Sequence, residues 1–578
     1  MSSEPESLPK DQAAAEGKVN VQINGKWYRF PKGTRIADAC NSVGVHVPCF
    51  CYHPKLSVVG SCRMCLVEQG MPPRLAPGAT PTYNEDGYQT IQWMPRAVIA
   101  CANTVAENMG IRTDGALCED ARRGVLEFLL TNHPLDCPIC DQAGECKLQE
   151  YTADYGRASH RFTESKVKKG KNLSIGPRVN LDQERCVLCR RCIRFMKEIV
   201  GEEVLGVVGR GAHNAVSCFP GKCLDSNYSM NVVDICPVGA MTSKDFRFKM
   251  RVWFLKSTPT IDVNCGTGTN INIWTREQRV YRITPRQNDE VNSCWMPDDH
   301  RLNYKYINAP ERLATPLVRT DAGAPLRPST WEATLSLVAE QLRRCKPEEL
   351  AIIASARLTN EELYLSKLLA DSLGAAYVDI VPRTQEADDM LVSADRNPNT
   401  TGAKLIFGHD GSTLPELVKA VKAGKIRSLI VLGEDVTAEA GITPEQLGLL
   451  DYLLVMHHSE SGTTRRADVV LPGVSFAEKY GTMINVAGRI QRLNKAIEPL
   501  GDARADADIL RALVAACGRG EAAAAAAQAN SAMQLLDLMA QQISELEGVT
   551  WANIGNQGRV VLDTGVTIPL IEREKAKK

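Results

Sequence analysis

The sequence predicts a multidomain chain, with α+β modules in its first half and α/β architecture in its second. Three observations carry this. At 578 residues the chain is longer than one hydrophobic core usually serves. All of its 20 cysteines except Cys345 and Cys517 lie before residue 295. From about residue 330 onward, strand-like and helix-like patterns alternate.

Apolar residues make up 44% of the chain and charged residues 24%, as in ordinary globular proteins. The formal net charge is zero, without the basic imprint that a nucleic-acid partner leaves. No stretch approaches the roughly 18 unbroken apolar residues of a membrane span. Residues 1–17 are polar and lack the apolar core of a signal peptide, so they are expected to be a disordered tail. A cytosolic location follows, with any membrane association made through partners. In a reducing compartment, dense cysteine points to metal and not to disulfides.

The first module opens with VNVQINGKWYRF at 19–30. Val19, Val21 and Ile23 alternate with polar residues, and Asn24-Gly25 signals a type I′ turn into a second strand. Thr34 is placed to cap a short helix before a cysteine loop. A hairpin, a helix and such a loop suit a β-grasp, ferredoxin-like module. In the loop Cys51, Cys62 and Cys65 are spaced C-x10-C-x2-C, and Cys101 follows after an insertion. Gly60 and Ser61 are small enough to let backbone amides approach cluster sulfur. A C-x2-C pair alone fits zinc equally well; the long first gap and the fold cues favour a 2Fe–2S cluster.

The stretch CEDARRGVLEFLLTN reads as a helix with an apolar stripe of Val125, Leu126, Leu129 and Leu130. It runs into His133, Cys137, Cys140 and Cys146, spaced H-x3-C-x2-C-x5-C. A lone histidine near a helix end is usually an ordinary surface or core residue. Here three cysteines need a fourth ligand and Pro134 fixes the turn. Neutral imidazole in place of a thiolate removes one negative charge and raises a cluster's potential.

The third set is Cys186, Cys189 and Cys192, spaced C-x2-C-x2-C, with Cys236 before Pro237. Zinc sites rarely use this triplet, whereas it wraps one face of a 4Fe–4S cubane. Arg190, Arg191 and Arg194 either offset cluster charge or form a solvated face. Cys40, Cys49, Cys118, Cys218, Cys223, Cys345 and Cys517 fit no set and read as buried structural thiols.

In the second half, LAIIAS at 350–355, SLIVLG at 428–433 and YLLVM at 452–456 read as buried parallel strands. Thr359 and Glu362 form a capping box. No phosphate loop is present, and Gly206, Gly209 and Gly211 make a poor dinucleotide fingerprint, better read as a plain turn. Residues 522–527 are an alanine run that suits a helix or linker.

FCYHPKLSVVGSCRMCLVE, NHPLDCPICDQAGECKLQ, RCVLCRRCIRF and DICPVGAMTSKDFRFK together resemble the large iron–sulfur subunit of bacterial NADH:quinone oxidoreductase. That subunit of respiratory complex I is of G type and has a mitochondrial 75 kDa counterpart. The segment ADVVLPGVSFAEKYGTMINVAGRIQ at 467–491 resembles molybdopterin oxidoreductases. The resemblance covers about 19–505 and is most specific over the first 250 residues.

It implies one 2Fe–2S centre on Cys51, Cys62, Cys65 and Cys101. It implies two 4Fe–4S centres, one on His133, Cys137, Cys140 and Cys146 and one on Cys186, Cys189, Cys192 and Cys236. By analogy electrons run from the first, through the all-cysteine cubane, to the histidine-ligated one. The implied partners are the flavin- and NADH-binding subunit and other peripheral-arm subunits, with the membrane arm met only indirectly.

Two departures stand out. Some members carry a further cluster where only Cys265 and Cys294 remain here, so no fourth cluster is expected. After residue 505 too little chain remains for the final barrel of active molybdenum enzymes, so no molybdenum cofactor is expected; without a phosphate loop or a good dinucleotide fingerprint, no flavin is expected either.

The expected division is a tail at 1–17, a 2Fe–2S domain at 18–112, a 4Fe–4S domain with one histidine and three cysteine ligands at 113–152, and a 4Fe–4S ferredoxin-like domain at 153–248. A degenerate 4Fe–4S domain at 249–305, a truncated molybdopterin-oxidoreductase-like α/β domain at 306–505 and a helical tail at 506–578 complete it. The rival readings are a molybdenum formate dehydrogenase, a soluble NAD-linked hydrogenase subunit and a zinc-binding module. The chain itself is expected to relay electrons, with no residue doing acid–base or covalent chemistry.

Overall fold

The computed structural model describes residues 17–74, 80, 82–84, 87–321 and 323–576. The expected tail at 1–17 lies outside these except for Gly17. The chain divides into two compact units, 1–253 and 254–578.

The first unit opens with the expected hairpin. Lys18–Ile23 pairs antiparallel with Lys26–Pro31, and Asn24 and Gly25 take φ of 47° and 85°, the left-handed pair that a type I′ turn requires. Lys18–Ile23 also pairs in parallel with Met109–Arg112, which pairs antiparallel with Leu66–Met71. This mixed sheet folds over the helix Ile36–Ser42, which buries Ile36, Ala37, Ala39 and Cys40. Val21, Ile23, Val67 and Ile111 fill the core beneath, each stabilising it by roughly 1.5–3 kcal/mol relative to exposure.

Thr34 does not cap the helix. It sits one residue too early, so its hydroxyl turns back to donate to the Pro31 carbonyl at 2.7 Å, and Arg35 occupies the N-cap position without a side-chain bond.

The next helix, Ala116–Thr131, buries Cys118, Arg122 and Leu126; the rest of its expected stripe is only half-buried. A short helix at Lys147–Tyr155 follows the His/Cys loop. The remaining elements are small: a three-stranded sheet of Leu173–Ser174, Val179–Leu181 and Met241–Ser243, and a hairpin of Leu205–Val208 with Ala215–Cys218. Gly206 lies inside that hairpin against the Phe219 ring, while Gly209 and Gly211 turn at positive φ.

The second unit begins with a meander of Lys256–Ile261, Asn270–Arg276 and Arg279–Pro285. Its centre is a seven-stranded sheet. Val469–Pro472, Tyr452–His457, Ser428–Leu432, Leu350–Ala354 and Tyr377–Ile380 are parallel neighbours in that order, and Leu317–Val318 and Arg327–Pro328 close one edge antiparallel. Buried on both faces, the central strands are continuous runs of aliphatic residues, as parallel strands must be.

The capping box of Thr359 and Glu362 opens the helix Asn360–Leu373 as expected. The alanine run is the helix Glu521–Gln528. Residues 506–578 are not a separate appendage. Ile509, Leu513, Leu536 and Ile554 join the core that covers one sheet face, and Arg559–Val560 pairs with Arg489–Leu493.

Candidate metal centres

In the first unit the cysteine loop between Phe50 and Cys65 curls because Gly60 and Arg63 adopt φ of 64° and 60°. Cys51, Cys65 and Cys101 are buried and Cys62 is half-buried. Their sulfurs converge: Cys101 and Cys62 hydrogen-bond to Cys51, and Cys101 also bonds Cys65. The bond from Cys101 is the main cause that lowers both Cys51 and Cys65, the latter to about 7, while the same mutual bonds raise Cys62 and Cys101. The amides of Ser61 and Cys62 donate toward the Cys51 sulfur, Met64 toward Cys62 and Ala100 toward Cys65. Four thiols held by inward amides fit the terminal ligands of an iron–sulfur cluster better than a site built for neutral thiols.

His133, Cys137, Cys140 and Cys146 line one cavity of about 510 Å³. Burial, followed by the charges of Arg185 and Lys166, lowers His133 to about 4, which leaves its imidazole neutral and able to bind metal. The amide of Gln142 donates toward Cys140, and those of Leu148 and Gln149 toward Cys146. Gly239 backs this cavity. A Cβ there would lie 2.1 Å from the Cys140 sulfur, so only glycine lets the backbone pass.

The third set is more enclosed than the second, in which Cys137 is exposed. Cys189 and Cys192 are buried, and Cys186 and Cys236 are half-buried. Leu188 and Arg190 take φ of 53° and 60°, and these left-handed steps turn successive amides inward. Leu188 donates to the Cys186 sulfur at 3.4 Å, and Arg191 and Ile193 donate toward Cys189 and Cys192. Burial pushes Cys186 up to about 12 and Cys189 up to about 11. Without a cation these thiols stay protonated; a bound metal would make thiolates of them.

Sequence reasoning left open what the three arginines do, and their positions now separate them. Arg190 is exposed. Arg194 is buried and donates to the carbonyls of Cys51 at 2.5 Å, Cys189 at 3.4 Å and Ser57. Arg191 donates to the carbonyls of Tyr52 and, at 3.2 Å, Ile235. Two guanidinium groups therefore lace the first cysteine loop to the third. The turn after Cys236 makes a second link, because the Pro237 carbonyl accepts from the Lys147 amide at 3.0 Å while Gly239 fits against Cys140. Tyr151 makes a third, its hydroxyl accepting from the Cys49 amide at 3.4 Å and its ring meeting Phe50 edge-on.

Of the leftover cysteines, Cys40 and Cys118 are buried and Cys49, Cys218, Cys345 and Cys517 half-buried. Cys223 is exposed, against expectation, because it sits in the solvent-facing loop after Ala215–Cys218. Sequence reasoning missed one other grouping. Asp262, Cys265 and His300 lie together in the second unit, drawn from a strand end, a turn and a helix with no common spacing.

Small α+β modules around converging thiols and inward amides define an iron–sulfur electron-transfer protein. The comparisons agree. Family models match for a 2Fe-2S iron-sulfur cluster binding domain at 16–116, an NADH-ubiquinone oxidoreductase-G iron-sulfur binding region at 122–161 and an NADH-quinone oxidoreductase subunit 3, ferredoxin-like domain at 176–242. Others match for an NDSU1/NuoG-like 4Fe-4S domain at 255–305 and for molybdopterin oxidoreductase at 396–516.

The NADH-quinone oxidoreductase G subunit of Rickettsia felis is 31% identical over 86% of this chain and 87% of its own length. The NADH-ubiquinone oxidoreductase 78 kDa subunit of Candida albicans is 31% identical over 86% of the chain and 82% of its own. The mitochondrial NADH dehydrogenase [ubiquinone] iron-sulfur protein 1 of Solanum tuberosum is 38% identical over 64% and 48%. The chain belongs to the G-type iron–sulfur subunit family of NADH-quinone oxidoreductases.

Proposed function

We propose that the chain is the electron-transfer subunit of an NADH:quinone oxidoreductase, relaying electrons from a flavin-bearing subunit toward quinone. The observation that carries this is the convergence of Cys51, Cys62, Cys65 and Cys101 beneath inward amides, next to two further nests. The first nest would hold a 2Fe–2S cluster. His133, Cys137, Cys140 and Cys146 would hold one 4Fe–4S cluster, and Cys186, Cys189, Cys192 and Cys236 another. When bound, these clusters supply one-electron redox sites.

The chain's own residues do the rest. Amides and the Arg191 and Arg194 guanidinium groups fix the loops, burial keeps water from most of the sulfurs, and a neutral His133 sets one site's ligand charge apart from the other two. No residue in this arrangement is needed for bond-making chemistry, and no molybdenum cofactor or flavin belongs to the chain. Its partners are the NADH- and flavin-binding subunit and other peripheral-arm subunits. Among the described residues no helix is long and apolar enough to cross a membrane. As a subunit of such an assembly the chain takes a peripheral place on the cytoplasmic face of the inner membrane, held there by its partners.

Metal analysis and low-temperature EPR of the anaerobically purified chain test this. The expected result is about ten irons per chain, two in one centre and four in each of two others, with no molybdenum. Zinc in the cysteine nests, or stoichiometric molybdenum, would overturn it.

A further inference from the structure

Asp262 follows the strand Lys256–Ile261, Cys265 lies in the next turn, and His300 sits in the short helix Asp298–Leu302. All three are buried, and one oxygen, one sulfur and one nitrogen from them lie within 4.8 Å of one another.

What surrounds the donors also points to a ligand. His300 Nδ1 and Asp262 Oδ2 are 2.7 Å apart, and Asp262 Oδ1 accepts from the Asn264 amide at 3.2 Å and its side-chain nitrogen at 2.5 Å. An Asp–His pair accounts for those two side chains without any metal. The Cys265 thiol has a weak partner of its own, donating toward the Leu391 carbonyl at 3.7 Å. The Cys265 sulfur receives the backbone amides of Ser393 and Thr267 and the Thr267 hydroxyl, three donors aimed at a buried sulfur. Burial, then the charge of Asp262, nonetheless pushes this thiol up to about 11, so the three inward donors suit a thiolate that forms only when a cation displaces the proton.

We propose that Asp262, Cys265 and His300 form a mononuclear site for a divalent cation of zinc type, separate from the iron–sulfur centres. The mixed O, N and S donor set selects a borderline cation over magnesium or calcium, which prefer oxygen alone. One carboxylate and one thiolate balance its two charges, and imidazole adds a neutral third ligand. The site ties the first strand of the meander to the helix after its last strand. It occupies the segment matched by a 4Fe-4S domain model, where Cys265 and Cys294 are the only cysteines.

The test is zinc and iron content of the full-length, cluster-loaded chain after exposure to zinc and gel filtration, with X-ray absorption at the zinc edge. About one zinc per chain is expected, with one sulfur at about 2.3 Å and nitrogen or oxygen at about 2.0–2.1 Å. Cys265→Ser and His300→Gln should each lower retained zinc about tenfold or more, with iron content and EPR signals unchanged. If Cys265→Ser fails to fold, His300→Gln, which can still bond Asp262, and the wild-type zinc-edge spectrum decide the matter. Wild type retaining less than about a tenth of a zinc, zinc retained by both variants, or zinc surrounded by several sulfurs would each overturn the proposal.

Discussion

His133 shows how much one side chain can decide. It is the single imidazole among twelve candidate ligands, and its environment keeps it neutral. Replacing it with cysteine adds a negative charge to that centre, so His133→Cys should keep a cubane whose midpoint falls, by on the order of 100 mV. Redox titration followed by EPR reads this directly; an unmoved midpoint with an unchanged spectrum would show that His133 is no ligand. The cysteines were legible in the sequence because ligand spacing is local. The work of Arg194 was not, because its carbonyl partners lie 5 to 143 positions away and only folding brings them together. Asp262, Cys265 and His300 were hidden for the same reason, with only the stray Cys265 as a signal.

At the scale of elements, the helix Asn360–Leu373 carries a testable electrostatic cost. Glu361 is fully buried at its start, and its carboxyl meets the amide and the hydroxyl of Thr482, both at 2.8 Å, on the strand Gly481–Ile484. Burial raises Glu361 to about 7. A carboxyl whose folded pKa lies above its unfolded value favours folding fully below the unfolded pKa, and loses that advantage as pH rises through the folded one. Glu361→Gln carries no charge; its oxygen can still accept from the Thr482 amide, and its NH2 can donate to the Thr482 hydroxyl oxygen in place of accepting from it. It should therefore gain roughly 1–3 kcal/mol over wild type at pH 8 and little near pH 4.5. Urea unfolding at the two pH values checks this, and an equal gain at both would refute it.

Elements of this kind were readable when their signals were short-range. The Asn24-Gly25 turn and the Thr359/Glu362 box are four-residue grammars and fell where expected. Thr34 failed as a cap because a shift of one residue offered its hydroxyl a nearer carbonyl.

For the whole molecule, each unit has a core of its own. That around Val21 and Ile111 serves the first, and those around the parallel sheet serve the second. On the proposed assignment, three nests in the first unit would replace apolar mass with metal–thiolate bonds, and its folding would lean on iron. Chelation under oxidising conditions should speed hydrogen exchange in Ala116–Thr131 at least tenfold, while Leu350–Ala354 and Ser428–Leu432 stay protected. Mass spectrometry of peptic fragments measures this, and equal loss in both units would contradict it. The strand–helix alternation showed the sheet in advance. It could not show that residues 506–554 return to cover that sheet, since nothing local marks where a helix docks.

The turn from Cys236 to Gly239 supplies a ligand candidate to one cubane nest and the rear wall of the other. During biogenesis neither pocket can then be completed alone. On the proposed assignment, whichever cubane arrived first would shape half of its neighbour's mould, and damage to one would leave the other leaning on a loosened hinge. Repair after oxidative injury should therefore proceed in pairs, and a chain caught with only one cubane should be a short-lived species.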